Sequence, residues 1–172
     1  LDFETVYGIF ASHKRYPNLK IRGVHIHIGS QILDAAPFEK AIKKVLGFVK
    51  SRRISVDYFN IGGGLGIIYS MEHPQTARSF AKRVLPLLKR SGLKIILEPG
   101  RFISGNSGVL VTKVLYNKTT PRKKFVIVDT GMSDLIRPSL YEAYHNIVPV
   151  RMDGDAQRHP EKVDVVGPIC ES

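Results

Sequence analysis

Leu93-Lys94-Ile95-Ile96-Leu97-Glu98-Pro99-Gly100-Arg101 is where the character of the chain changes. An apolar run of strand composition stops at an acid, followed by a rigid turn residue, a flexible one and a guanidinium. On its N-terminal side the sequence alternates helical and strand spacing, and on its C-terminal side it reads mostly as strand. The stretch therefore marks the last strand of an α/β region and a hinge into a second region.

Upstream of the hinge, residues 75–90 carry Phe80, Ala81, Val84, Leu87 and Leu88 at helical spacing. Gly92 is placed to cap that helix, and Pro86 is expected to bend or split it because it removes one backbone bond. Before it, Val56 to Ile61 is a short strand ending in Gly62-Gly63-Gly64-Leu65-Gly66. Pro37 opens a helix whose apolar stripe is Phe38, Ile42, Val45, Leu46 and Val49. Ile21 to Ile28 alternates, with Val24, Ile26 and Ile28 on one side and His25 and His27 on the other, until Gly29 ends the strand. Residues 4–16 predict a helix closed by Pro17, with Lys14 and Arg15 favourably near its C-terminal dipole. Helix, strand, helix, strand, helix, strand is the pattern of a parallel α/β sheet.

Downstream, Val109 to Leu115, Phe125 to Val128 and Val163 to Val166 are β-branched, a basic turn spans 117–124, and no amphipathic helix is expected between them. Two regions follow, 1–104 and 105–172, the second mostly β. No internal repeat or low-complexity segment is present.

With 172 residues, 43% apolar and 24% charged, the composition is globular and the length suits one domain or two small ones. No apolar run approaches the roughly 18 residues of a membrane span, and the start lacks the pattern of a signal peptide and an initiator Met. A single cysteine, Cys170, leaves no internal disulfide or cysteine zinc site and suits a reducing cytoplasm. The net charge of +11 invites an anionic partner such as nucleic acid. Yet Lys40, Lys43, Lys44, Arg78, Lys82 and Arg83 are spread over helix faces without interleaved aromatics, which reads as a solvated basic surface with no nucleic-acid or membrane role.

Three strands of the first region end in unusual residues: His27-Ile28-Gly29-Ser30-Gln31, Gly62-Gly63-Gly64 and Glu98-Pro99-Gly100-Arg101. In a parallel sheet such ends share one face, and that face carries active sites. Singly, each has a plain reading. His27 fits a packed histidine and His25 a structural one, Ser30 fits a cap, and Glu98 with Arg101 fits a surface ion pair. The triple glycine is a turn or a phosphate cradle. Arg137 fits a solvated arginine beside a proline, and Cys170 an inert thiol. Their joint occurrence at three strand ends favours function.

These motifs, together with Arg137-Pro138-Ser139-Leu140-Tyr141 and Cys170-Glu171-Ser172, resemble in order those of the alanine-racemase-like, fold-type III pyridoxal-phosphate decarboxylases, in the branch acting on diaminopimelate. The resemblance implies the later part of a (β/α)8 TIM-like barrel followed by the start of a β-sandwich or β-barrel domain. It also implies lyase activity with pyridoxal 5'-phosphate, no metal, and conversion of meso-2,6-diaminopimelate to L-lysine. His27 is implied to stack on the cofactor ring. Ser30, Gly62, Gly63, Gly64 and the backbone of Gly100 and Arg101 are implied to hold the phosphate, and Glu98 the pyridine nitrogen. Arg101, Arg137 and Tyr141 are implied as substrate contacts, Cys170 as the acid that protonates the decarboxylated carbon, and Glu171 as the contact to the distal amino group. In such enzymes the Cys-Glu pair reaches the other subunit, so a homodimer with shared active sites is implied.

The family's Schiff-base lysine lies on an early strand, upstream of anything matched here, and Lys113, Lys118 and Lys123 do not occupy its context. A late tyrosine of the family is missing as well. A working enzyme longer than these residues is therefore expected, with the 172 residues alone inactive and weak for the cofactor. Relatives acting on ornithine, arginine or another basic amino acid, and a non-catalytic cofactor-binding barrel, stand as alternatives.

Overall fold

The computed structural model describes residues 1–151 and 161–169, and the chain divides into two compact units, Leu1–Gly108 and Val109–Ser172. Unit one is built on three short parallel strands, β1 (Gly23–His25), β2 (Tyr58–Asn60) and β3 (Lys94–Ile96), hydrogen-bonded in that order. The register aligns Gly23, Tyr58 and Lys94, then Val24, Phe59 and Ile95, then His25, Asn60 and Ile96. Because side chains alternate along a strand, the middle row faces the opposite way from the other two. Phe59, in that row, is fully buried against the helices. His25 and Asn60 therefore lie on the helix-free face.

The longer helices are α1 (Phe3–Ala11), α2 (Ala36–Ser51) and α3 (Ala77–Ser91). In α2 and α3 the apolar spacing places Phe38, Ile42, Val45, Phe80, Val84 and Leu88 in one core with Phe59, Ile61 and Leu65. Phe38 meets Phe80 edge to face at 5.0 Å, and burying each such ring contributes roughly 1.5–3 kcal/mol. Arg83 ties the two helices on the surface through Glu39 at 2.9 Å.

Each of these three helices starts where a side chain takes an orphan N–H. The Asp2 carboxylate accepts from Thr5 N–H in α1, Asp34 from Ala36 N–H before α2, and Thr76 from Ser79 N–H in α3. Helix α3 ends at Gly92, whose φ of 69° is the left-handed conformation a side chain resists.

The structure sets the helix limits of unit one differently from their spacing. The first helix stops at Ala11 and not at Pro17, because Ser12 Oγ turns back to the Gly8 carbonyl at 2.7 Å. Lys14 and Arg15 fall in a 3₁₀ turn, His13–Arg15, after it. Pro86 does not split α3, which runs through it on an exposed side. After Pro99 the chain forms a short helix, α4 (Gly100–Ser104), that spacing alone did not suggest.

Unit two holds a second sheet, β4 (Val114–Thr119), β5 (Lys124–Val128) and β6 (Asp164–Val166), with β4 antiparallel and β6 parallel to the central β5. Its first strand is displaced from the expected 109–115 into what reads as a basic turn. The Asp129 carboxylate takes the Lys113 N–H and the Thr112 hydroxyl, the ladder with β5 runs from Val114 to Thr119, and the turn shrinks to the residues around Arg122. A five-residue helix, α5 (Arg137–Tyr141), with Pro138 in its first turn, lies between β5 and β6 and is too short to show an apolar stripe, so the expectation of no amphipathic helix here is unaffected.

Candidate active site

Pairing in unit one continues beyond the assigned strands. Ile26 N–H donates to the Asn60 carbonyl, Ile61 N–H to that of Ile96, and Glu98 N–H to that of Gly62. These bonds draw the three C-terminal ends together and seat the glycine turn between its neighbours. A Cβ added at Gly62 would lie 2.2 Å from the Ile26 carbonyl oxygen, at Gly63 2.2 Å from that of Glu98, and at Gly64 2.1 Å from that of Gly29. Gly62 and Gly64 also have φ of 73° and 96°. The turn is glycine because the backbone on either side leaves no room for a side chain. His27, the turn and Glu98 are thereby neighbours: a Cβ at Gly62 would lie 3.2 Å from His27 Cα, and one at Gly63 3.7 Å from Glu98 Cβ.

The acid is held. Asn60 Nδ2 donates to Glu98 Oε1 at 2.7 Å, while Asn60 Oδ1 accepts from Gly62 N–H at 2.8 Å. His25 Nε2 lies 3.7 Å from Glu98 Oε2, so Glu98 sits between two polar groups of the helix-free face. On the opposite flank the Gln31 amide clamps Ile67, donating to its carbonyl at 2.6 Å and accepting from its N–H at 3.2 Å. These two bonds hold Gln31 at a φ of 57°, which non-glycine residues seldom adopt.

Arg101, in α4, lies with its guanidinium 5.9 Å from the centre of the Tyr69 ring. The Tyr69 loop is fixed in turn by Glu72, whose carboxylate accepts the N–H groups of Tyr69 and Ser70. Those bonds, that from Ser70 foremost, lower its pKa below the usual carboxylate range. Asn60, Gln31, Tyr69 and Glu72 were not singled out from sequence. Each acts through a partner whose own place is set by the fold.

The donor set fits a phosphorylated aromatic cofactor. Gly63 and Gly64 donate no backbone hydrogen bond among the described residues, so their N–H groups remain for an anionic oxygen. The side chains of His27, Ser30 and Glu98 are open to solvent beside them. The Gly100 N–H donates to the Glu98 carbonyl at 2.8 Å. Arg137 and Tyr141 lie in unit two on α5, with the guanidinium 5.9 Å from the ring centre. Cys170 and Glu171 lie outside the described residues.

A parallel sheet with helices packed on one face, and a glycine turn and a braced acid at its C-terminal end, defines an α/β protein, here followed by a second sheet. The chain belongs to the pyridoxal-dependent decarboxylases, whose C-terminal sheet domain family matches residues 6–172. It is 48% identical over 176 residues to the diaminopimelate decarboxylase of Aquifex aeolicus, covering 100% of this chain and 41% of that protein. Among solved structures, a protein of Aquifex aeolicus matches with a TM-score of 0.91 at 43% identity, over 100% of this chain and 43% of that one. The diaminopimelate decarboxylase of Helicobacter pylori complexed with L-lysine matches at 0.86 and 41%, over 99% and 42%. The chain thus spans about two-fifths of the length of these relatives.

Proposed function

We propose that the protein carrying these residues removes carbon dioxide from meso-2,6-diaminopimelate to give L-lysine, using pyridoxal 5'-phosphate. The observation that supports this reading most is the meeting of His27, the Gly62–Gly64 turn and Glu98 at the ends of three parallel strands. Unit one is read as the later part of a (β/α)8 barrel, which places the cofactor-binding residues before about residue 105. Unit two is read as the start of the β domain that bears substrate and dimer contacts.

The residues fall into roles their chemistry suits. Ser30 and the N–H groups of the glycine turn bind the phosphate, with the backbone about Gly100 and Arg101 closing that side. His27 lies against the ring as a flat amphipathic plate. Glu98 faces the ring nitrogen and holds its proton. When bound, pyridoxal phosphate supplies an electron sink for the charge left as carbon dioxide departs. Arg101, Arg137 and Tyr141 orient the substrate carboxylate, for which a guanidinium fork is the best match. Cys170 gives its thiol proton to the decarboxylated carbon, Glu171 holds the distal ammonium, and both serve the active site of a second copy in a homodimer. The lone cysteine suits a cytoplasmic home, and no helix among the described residues is long and apolar enough to cross a membrane.

Carbon dioxide release from meso-diaminopimelate, ornithine and arginine by the complete polypeptide tests the reading. Turnover of diaminopimelate is expected, and turnover of ornithine without it would overturn the substrate assignment. Borohydride reduction followed by peptide mass mapping is expected to place the cofactor on a lysine outside these 172 residues. A labelled lysine within them would contradict the assignment of roles.

A further inference from the structure

Among the described residues, Asn60 is the side chain that hydrogen-bonds both the glycine turn and Glu98. Its amide cannot be reversed without loss. A backbone N–H only donates, so Oδ1 must face Gly62, and this turns Nδ2 toward Glu98, where a carboxylate only accepts. One amide thus ties the end of β2 to the end of β3. Glu98 has several rotatable bonds and a side chain 50% exposed, so without this tie its oxygens would sample many positions. With Oε1 held at 2.7 Å, Oε2 is turned toward His25, whose Nε2 stands 3.7 Å away.

We propose that Asn60 is a positioning residue that couples the phosphate side of the cofactor site to the acid facing the ring nitrogen. The proposal rests on the cofactor reading above and goes beyond it, since it assigns a role to a residue that acts through Gly62 and Glu98. Through Asn60, displacing the glycine turn also displaces Glu98.

A double-variant cycle on the complete polypeptide tests this, read by the absorption bands of the bound cofactor and by its dissociation constant in equilibrium dialysis. Asn60→Ser is the first variant, because a hydroxyl still accepts from Gly62 N–H but is too short to reach Glu98. Asn60→Ala is the second. Asn60→Ser is expected to weaken cofactor binding about tenfold, the effect of one charge-assisted hydrogen bond, and to move the band ratio toward that of Glu98→Gln. In the Glu98→Gln background the same change is expected to leave the bands unaltered. Asn60→Ala, which also frees Gly62, is expected to bind more weakly than Asn60→Ser in both backgrounds. If wild type binds the cofactor but Asn60→Ser keeps the wild-type bands, or shifts them equally with Glu98→Gln present, the coupling is refuted while the cofactor reading stands. If wild type binds no cofactor, the cofactor reading fails and the proposal falls with it.

Discussion

Gly64 and Gly8 put the two uses of glycine in this chain side by side. At Gly64 the φ of 96° and the Gly29 carbonyl 2.1 Å from any added Cβ both oppose a side chain. Gly64→Ala is expected to destabilise the complete protein by on the order of 3 kcal/mol and to weaken cofactor binding, as measured by urea denaturation and dialysis. Gly8 lies inside α1 with nothing within 4 Å of an added Cβ, so Gly8→Ala is expected to stabilise by about 0.5–1 kcal/mol. At this scale the sequence was informative where chemistry is local: three glycines in a row and Glu98-Pro99-Gly100-Arg101 stand out unaided. It was silent about Asn60, whose partner Glu98 is 38 residues away, and about Tyr69 beneath Arg101, since neither pairing exists before the strands align. His25 read as structural, yet the fold sets it 3.7 Å from Glu98.

Among the elements, spacing revealed the helices and caps decided their limits. The stripe of α2 and that of α3 were legible because their core contacts recur at helical period. The end of α1 and the start of β4 were not, because a serine and an aspartate hydroxyl or carboxylate bonding to backbone overrode propensity. The same carboxylates make stability pH-dependent. Hydrogen bonds from Thr5 N–H above all lower the pKa of Asp2, and those from Lys113 N–H lower that of Asp129. In the unfolded chain both return to the usual carboxylate range. Their contribution is thus fully present above that range and is lost as pH falls through the depressed folded values. Urea midpoints are expected to fall between neutral pH and about pH 3. Asp2→Asn keeps a capping oxygen that does not titrate, so it is expected to flatten part of that decline; an unchanged slope would show that Asp2 does not contribute to it.

For the whole molecule, the three-stranded sheet of unit one exposes apolar side chains at its β3 edge. Ile95, Ile96 and Leu97 are 37%, 43% and 38% accessible. Such an edge is a site of pairing with further chain, whereas the net charge of +11 opposes association. The 172-residue chain alone is therefore expected to self-associate as salt screens that charge, seen as light scattering that rises with ionic strength; scattering independent of salt would refute this balance. The order of elements, and with it the α/β class, was readable from residue pattern alone, because alternating periods of 3.6 and 2 leave few topologies. The most direct test of the central claim is a crystal structure of the complete polypeptide with pyridoxal phosphate. The account predicts the phosphate on the Gly63 and Gly64 N–H groups and Glu98 within about 3 Å of the ring nitrogen. A phosphate bound elsewhere, or Glu98 turned away from the ring, would contradict it.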